Sequence, residues 1–154
     1  MVPGQRRGTA IAMSDKERDA FLHSSPVCRV ATVGPGGHPH NGALWFVWDG
    51  TALWLNSLVR SQRWTDVSRD GRVSVVVDEG GFDFLRLRGV ELLGTARTVG
   101  EAPRTGEPVD ELRAPERLFA EKYGDFRHDG RHGWLRLRPE KIVSWDFGKL
   151  RVNG

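Results

Sequence analysis

Cysteine is nearly missing from this chain. Cys28 is the only one in 154 residues, so no disulfide can form within it. That composition suits a reducing compartment and a cytoplasmic protein. Flanked by Val27 and Val30, Cys28 reads as a buried structural thiol. Long hydrophobic runs are missing too. No stretch approaches the ~18 apolar residues of a membrane span. The start, MVPGQRRGTAIAM, has two arginines but lacks the apolar run of a signal peptide. Residues 1–13 are expected to form a flexible arm and residues 14–154 a single domain. A strong excess of one charge is absent as well. The net charge is +3 and the pI is near 9.5, with basic residues spread along the chain. This excludes a nucleic-acid surface as the main business of the molecule. The chain also lacks a glycine-rich dinucleotide fingerprint, a nucleophile elbow, a CxxC pair and a metalloprotease helix. No hydrolytic triad assembles from what remains.

What is present is mostly β pattern, with 38% apolar residues to form a core. Ser14-Asp15-Lys16-Glu17 is a capping box that opens a short helix, and Pro26 closes it. Residues 27–33 read as a strand, and Gly34-Pro35-Gly36-Gly37 as a turn. Residues 38–48 read as a second strand, and Asp49-Gly50 as a hairpin signal. The returning strand is 52–57, followed by a basic helical segment, 60–68. Residues 72–78 are nearly all valine, as in a central strand covered on both faces. A long β stretch over 84–99 is predicted to bend at Gly89 and Gly94. Residues 110–123 are amphipathic with a break or kink at Pro115. Strands at 131–138 and 142–147 flank a turn at Pro139-Glu140. About seven strands, three short helices and no βαβ rhythm predict a closed or partly closed antiparallel barrel.

Several constellations could carry chemistry. Asn56-Ser57 precedes Arg60-Ser61-Gln62-Arg63, a polar cluster without nearby acids between a strand end and a helix start. Hydroxyls of Ser57 and Ser61, the cations of Arg60 and Arg63 and a helix N-terminus are what a phosphate group needs; a solvated helix start is the plainer alternative. His38 and His40 share a strand face, and His128 and His132 lie four apart. With no cysteine near, they read as ordinary strand and loop histidines rather than metal ligands. Arg86 with Arg88, and Arg136 with Arg138, are spaced to share a strand face. They could grip an anion, or line a polar exterior with acidic partners. Among six tryptophans, Trp45, Trp48 and Trp54 fit a core or a subunit interface. Trp145 is a candidate to flank a flat ring, core packing being the commoner role.

The stretch RVATVGPGGHPHNGALWFVWDGTALWLNSLVRSQRWTDV, then RVSVVVD, then GWLRLRPEKIVSWDF resembles the pyridoxamine 5′-phosphate oxidase-like superfamily of FMN-binding split barrels. The similarity is greatest to the small actinobacterial branch that uses FMN or the deazaflavin F420. The resemblance implies a mainly β, antiparallel, six- to seven-stranded Greek-key split barrel and a homodimer with cofactor sites at the subunit interface. It implies an F420- or FMN-dependent oxidoreductase that moves hydride to or from a small organic substrate. The alternative is a non-catalytic flavin- or haem-binding barrel. By the same resemblance the ring-contacting strand corresponds to Gly42, Ala43, Leu44, Trp45, Phe46 and Val47, and further contacts to Asn56 and Ser57. Ser61, Gln62 and Arg63 correspond to the phosphate group's partners, and Trp145 to a tryptophan lent by the partner subunit. The chain departs from the oxidases at four of these positions. Gly42 stands where they carry arginine, Val47 where they carry lysine, and Gln62-Arg63 where they carry an arginine-lysine pair.

Overall fold

The computed structural model describes residues 2–153, the side chains of Val152 and Asn153 excepted. Helix α1 (Asp15–Ser24) starts where the capping box places it. The Glu17 amide donates to Ser14 Oγ at 3.1 Å, and the Ser14 amide donates to Glu17 Oε1 at 3.0 Å. Its buried side, Phe21 and Leu22, closes one end of the core. Burying such side chains is worth ~1.5–3 kcal/mol each. Strands β1 (Cys28–Val33), β2 (Pro39–Leu44), β3 (Val47–Trp48) and β4 (Leu53–Leu58) follow, then helix α2 (Gln62–Arg69). Strands β5 (Arg72–Glu79) and β6 (Arg88–Val99), helix α3 (Arg113–Tyr123) and strand β7 (His132–Asp146) complete the chain.

All pairings are antiparallel, in the order β2-β1-β5-β6-β7-β4-β3, so the seven strands form one curled, half-barrel sheet. Strands β2 and β3 are its two edges, yet only Trp45 and Phe46 separate them in sequence. The curl therefore brings the edges together at a seam. The concave face packs Val30, Val75, Val90, Leu92, Leu53, Leu55, Leu135 and Leu137. A second apolar layer on the other face packs Trp54, Val99 and Trp134 beneath α3 and the turn before it. On β5, Val73, Val75 and Val77 are buried while Ser74 and Val76 are half-buried, so one face is fully covered rather than both. Gln5 docks on β7 through its side-chain carboxamide. Its amide nitrogen donates to Ser144 O at 3.1 Å, and its oxygen accepts from the Ser144 amide at 2.9 Å.

Three elements differ from the sequence pattern, each for a non-local reason. The strand expected over 38–48 breaks at Trp45–Phe46, because Phe46 lies in the seam. Its amide donates to Tyr123 Oη (3.0 Å), and its carbonyl accepts from Lys122 Nζ (3.0 Å). With those partners, the buried backbone needs no neighbouring strand. Residues Phe84–Arg86 form a 3₁₀ turn rather than strand, since the Asp83 carboxylate accepts from the Leu85 amide at 3.0 Å. Arg86 and Arg88 thus do not share a strand face; Arg86 reaches Asp83 and Arg88 reaches Glu79. The turn expected at Pro139-Glu140 is a bulge inside the single strand β7, opposite a register shift at Leu93/Gly94. A Cβ on Gly94 would overlap the Arg138 carbonyl, so only glycine fits there. Pro115 lies in the first turn of α3, where its missing N–H leaves no intrahelical bond unmade.

Candidate functional site

Strand β4 ends and helix α2 begins within four residues, and the two ends hold a polar cluster. Ser57 is buried at the end of β4. Ser61 caps α2, its hydroxyl accepting from the Trp64 amide at 3.1 Å. The Ser57 and Ser61 hydroxyl oxygens lie 3.4 Å apart. Arg63, on the first turn of α2, donates from Nη1 to Ser57 Oγ at 3.3 Å. Its other terminal nitrogen lies over the edge strand: a Cβ on Gly42 would stand 2.8 Å from Arg63 Nη2. Glycine at 42 therefore makes room for the guanidinium of residue 63.

Arg63 is half-buried, and burial holds its pKa below the ordinary arginine value, with the nearby Cys28 acting weakly against this. Among the described residues neither Arg63 nor Arg60 has a carboxylate within ion-pairing distance, whereas Arg29, Arg72, Arg88 and Arg104 each do. A partly desolvated cation without a counter-charge is costly. Cys28 itself is fully buried, and burial pushes its thiol up to about 12.

The other residues named from the sequence fall into three groups. Along β2 and the seam, Gly42 and Leu44 are half-buried, Ala43 and Trp45 are exposed, and Phe46 and Val47 are buried. Trp45 stacks on Tyr123, ring centres 4.2 Å apart and nearly parallel. Asn56 points to the opposite sheet face from Ser57, toward Trp54's side. Its buried Nδ2 has no hydrogen-bond partner among the described residues. Gln62 is turned away from the cluster. Its amide donates to Asp66 Oδ1 at 2.7 Å, and Asp66, fully buried, also accepts from Thr32 Oγ1 (2.7 Å) and Arg69 (3.2 Å). Arg60 is exposed in the turn before α2. Trp145 packs over Gly89 near the end of β7, whereas Ser57 pairs with Gly133 near its start. At ~3.3 Å per residue, the two are on the order of 40 Å apart along that strand.

The histidines do not converge. His40 lies 3.8 Å from Asp66, His132 bonds Asp129 at 2.5 Å, and His128 lies 3.7 Å from Glu116. Among the described residues no group of three or more His, Cys, Asp or Glu could hold a metal ion. No helix of the described residues is long and apolar enough to cross a membrane.

Lys122 was not legible as a site residue. It donates to the carbonyls of Leu22 (3.2 Å) and Phe46 (3.0 Å) and lies 3.8 Å above the Phe46 ring. Burial lowers it to about 8. It borders a cavity of about 360 Å³ with Tyr123, Val47 and Trp48. The only hint in the sequence was its place beside Tyr123, one residue outside the apolar side of α3.

Residues 14–146, from the capping box through β7, match the pyridoxamine 5′-phosphate oxidase family. The chain belongs to that family. A conserved hypothetical protein from Mycobacterium tuberculosis is 31% identical, the match covering 97% of this chain and 93% of the other, with a TM-score of 0.71. An F420 reductase is similar in fold, at 20% identity, 80% and 94% coverage and a TM-score of 0.59. The haem storage protein HutZ from Vibrio cholerae is likewise similar in fold, at 14% identity, 84% and 94% coverage and a TM-score of 0.66. No curated protein sequence matches. The space above Gly42 holds the Arg63 guanidinium, and the Phe46 carbonyl beside Val47 holds the Lys122 ammonium.

Proposed function

We propose that two copies of this chain bind a flavin-type cofactor, F420 or FMN, and use it as an oxidoreductase on a small organic substrate. The observation that carries this is Arg63: half-buried, without an acidic partner among the described residues, beside two serine hydroxyls and over a glycine of the edge strand. These residues fit a phosphate group. Arg63, Ser57 and Ser61 would hold it, with Arg60 at the rim, and the backbone of residues 42–47 would lie along the ring. Gln62 would contribute after exchanging its bond to Asp66. The bound cofactor supplies the hydride chemistry. The protein's share is to orient the ring, neutralise the phosphate and exclude water.

The placement of Trp145 supports a second copy. In one chain Ser57 is buried, while Ser61 and Arg63 keep part of their surface open to solvent. Trp145 is at the wrong end of β7 to cover them, and the Trp145 of a second copy would do so.

Titration of the purified protein with FMN and F420 side by side tests the proposal. At least one should bind, and Arg63→Ala should weaken that binding by ~1.5–3 kcal/mol, the scale of a charge-assisted hydrogen bond. Unchanged affinity would remove the phosphate assignment. A non-catalytic flavin- or haem-binding barrel is the second reading, favoured by the fold likeness to a haem storage protein. A sharp visible band on haem addition, lost when His38, His40, His128 or His132 is replaced, would support it over the enzyme.

A further inference from the structure

We propose that the outer face of the β6–β7 pair carries a second anion site, built by Arg97, Arg136 and Arg138, for a phosphate monoester or carboxylate group. The register places Arg97 directly opposite Arg136, and Thr95 opposite Arg138, so all four side chains share one face. Like charges directly across an antiparallel ladder repel, and the sheet keeps them together. With Pro139 and Glu140 they line a cavity of about 320 Å³.

The local acids do not balance this charge. Glu111 Oε2 is shared, accepting from Arg136 Nη1 at 2.5 Å and Arg97 Nη2 at 3.3 Å. Among the described residues Arg138 has no ion pair, and Glu140 accepts from Thr95 Oγ1 at 3.3 Å rather than from an arginine. Arg136 is the fixed member. Its side chain is 9% exposed, its guanidinium lies 5.8 Å from the Trp54 ring, and its buried Nε has no partner. Burial, then repulsion from Arg97 and Arg138, holds its pKa below the ordinary value. Arg97 and Arg138 are exposed and free to move onto an incoming oxyanion. Planar guanidiniums suit carboxylate and phosphate oxygens two at a time. The site is separate from the Ser57–Arg63 cluster, because Ser57 faces the concave side of the sheet and Arg136 the convex side.

The test is calorimetric titration of the full chain with inorganic phosphate and with acetate, at constant ionic strength. Saturable binding of at least one anion should survive Arg63→Gln. Measured in that Arg63→Gln background, it should fall about ten-fold or more in Arg97→Gln and in Arg138→Gln, both at exposed positions. Glu111→Gln, which frees two guanidiniums, should strengthen it. Preference for phosphate assigns phosphate monoesters, and preference for acetate assigns carboxylates. Binding lost in Arg63→Gln but kept in Arg97→Gln and Arg138→Gln would overturn the proposal, as would the absence of saturable binding.

Discussion

Gly42 and Arg63 share one volume, and neither can be understood alone. A methyl group at 42 would meet the far end of a flexible side chain, not backbone. Gly42→Val should therefore leave the fold nearly as stable, with urea unfolding shifted by less than ~1 kcal/mol, while pushing the guanidinium off the edge strand. Under the flavin reading, its cofactor affinity should fall roughly 10- to 150-fold, as for Arg63→Ala, and the double variant should be no worse than either single one. Additive losses in the double variant would show that the two positions act separately. Much of this cluster was legible because Ser57, Ser61 and Arg63 lie within seven residues of one another. Gln62, expected beside the phosphate group, bonds Asp66 here instead. Asp66 lies four residues on, on the same helix face, and claims its amide.

At the scale of elements, α3 is fastened to the sheet seam by Lys122, and this makes stability depend on pH. Burial lowers Lys122 from 10.5 to about 8, so the unfolded chain holds more protons than the folded one between those values. Stability must rise with pH across that window. The Cys28 thiol works in the other direction. Raised from 9.0 to about 12, it lets the unfolded chain lose its proton first, so stability falls from pH 9 upward. Urea midpoints between pH 8 and 9 report on the lysine: they should climb in the native chain and drift slightly down, with Cys28 alone, in Lys122→Met. Equal slopes would show that Lys122 stays fully charged in the fold. Elements set by neighbours in sequence were readable, such as the capping box at Ser14. At Asp49-Gly50 the Asp49 carboxylate likewise accepts from the Thr51 and Ala52 amides. Elements set from far away were not. The break at Phe46 depends on Tyr123, 77 positions on, and the bulge at Pro139 depends on Gly94.

At the scale of the molecule, the proposed cofactor cluster and the distant Trp145 make the oligomer testable. Light scattering during size-exclusion chromatography should give twice the chain mass of 17.3 kDa. Cofactor affinity should weaken when the protein is diluted below its dimer dissociation constant. A monomer with full affinity would refute the shared site. The order of strands also constrains how the protein is made. Strand β7 pairs with both β6 and β4, joining residues 53–58 to partners at 132–137. Until β7 leaves the ribosome, β6 lacks one neighbour and β4 has only the two-residue β3. Nearly the whole chain must therefore be synthesised before the sheet can close, and a nascent chain stopped short of residue 132 exposes two apolar strands with open edges.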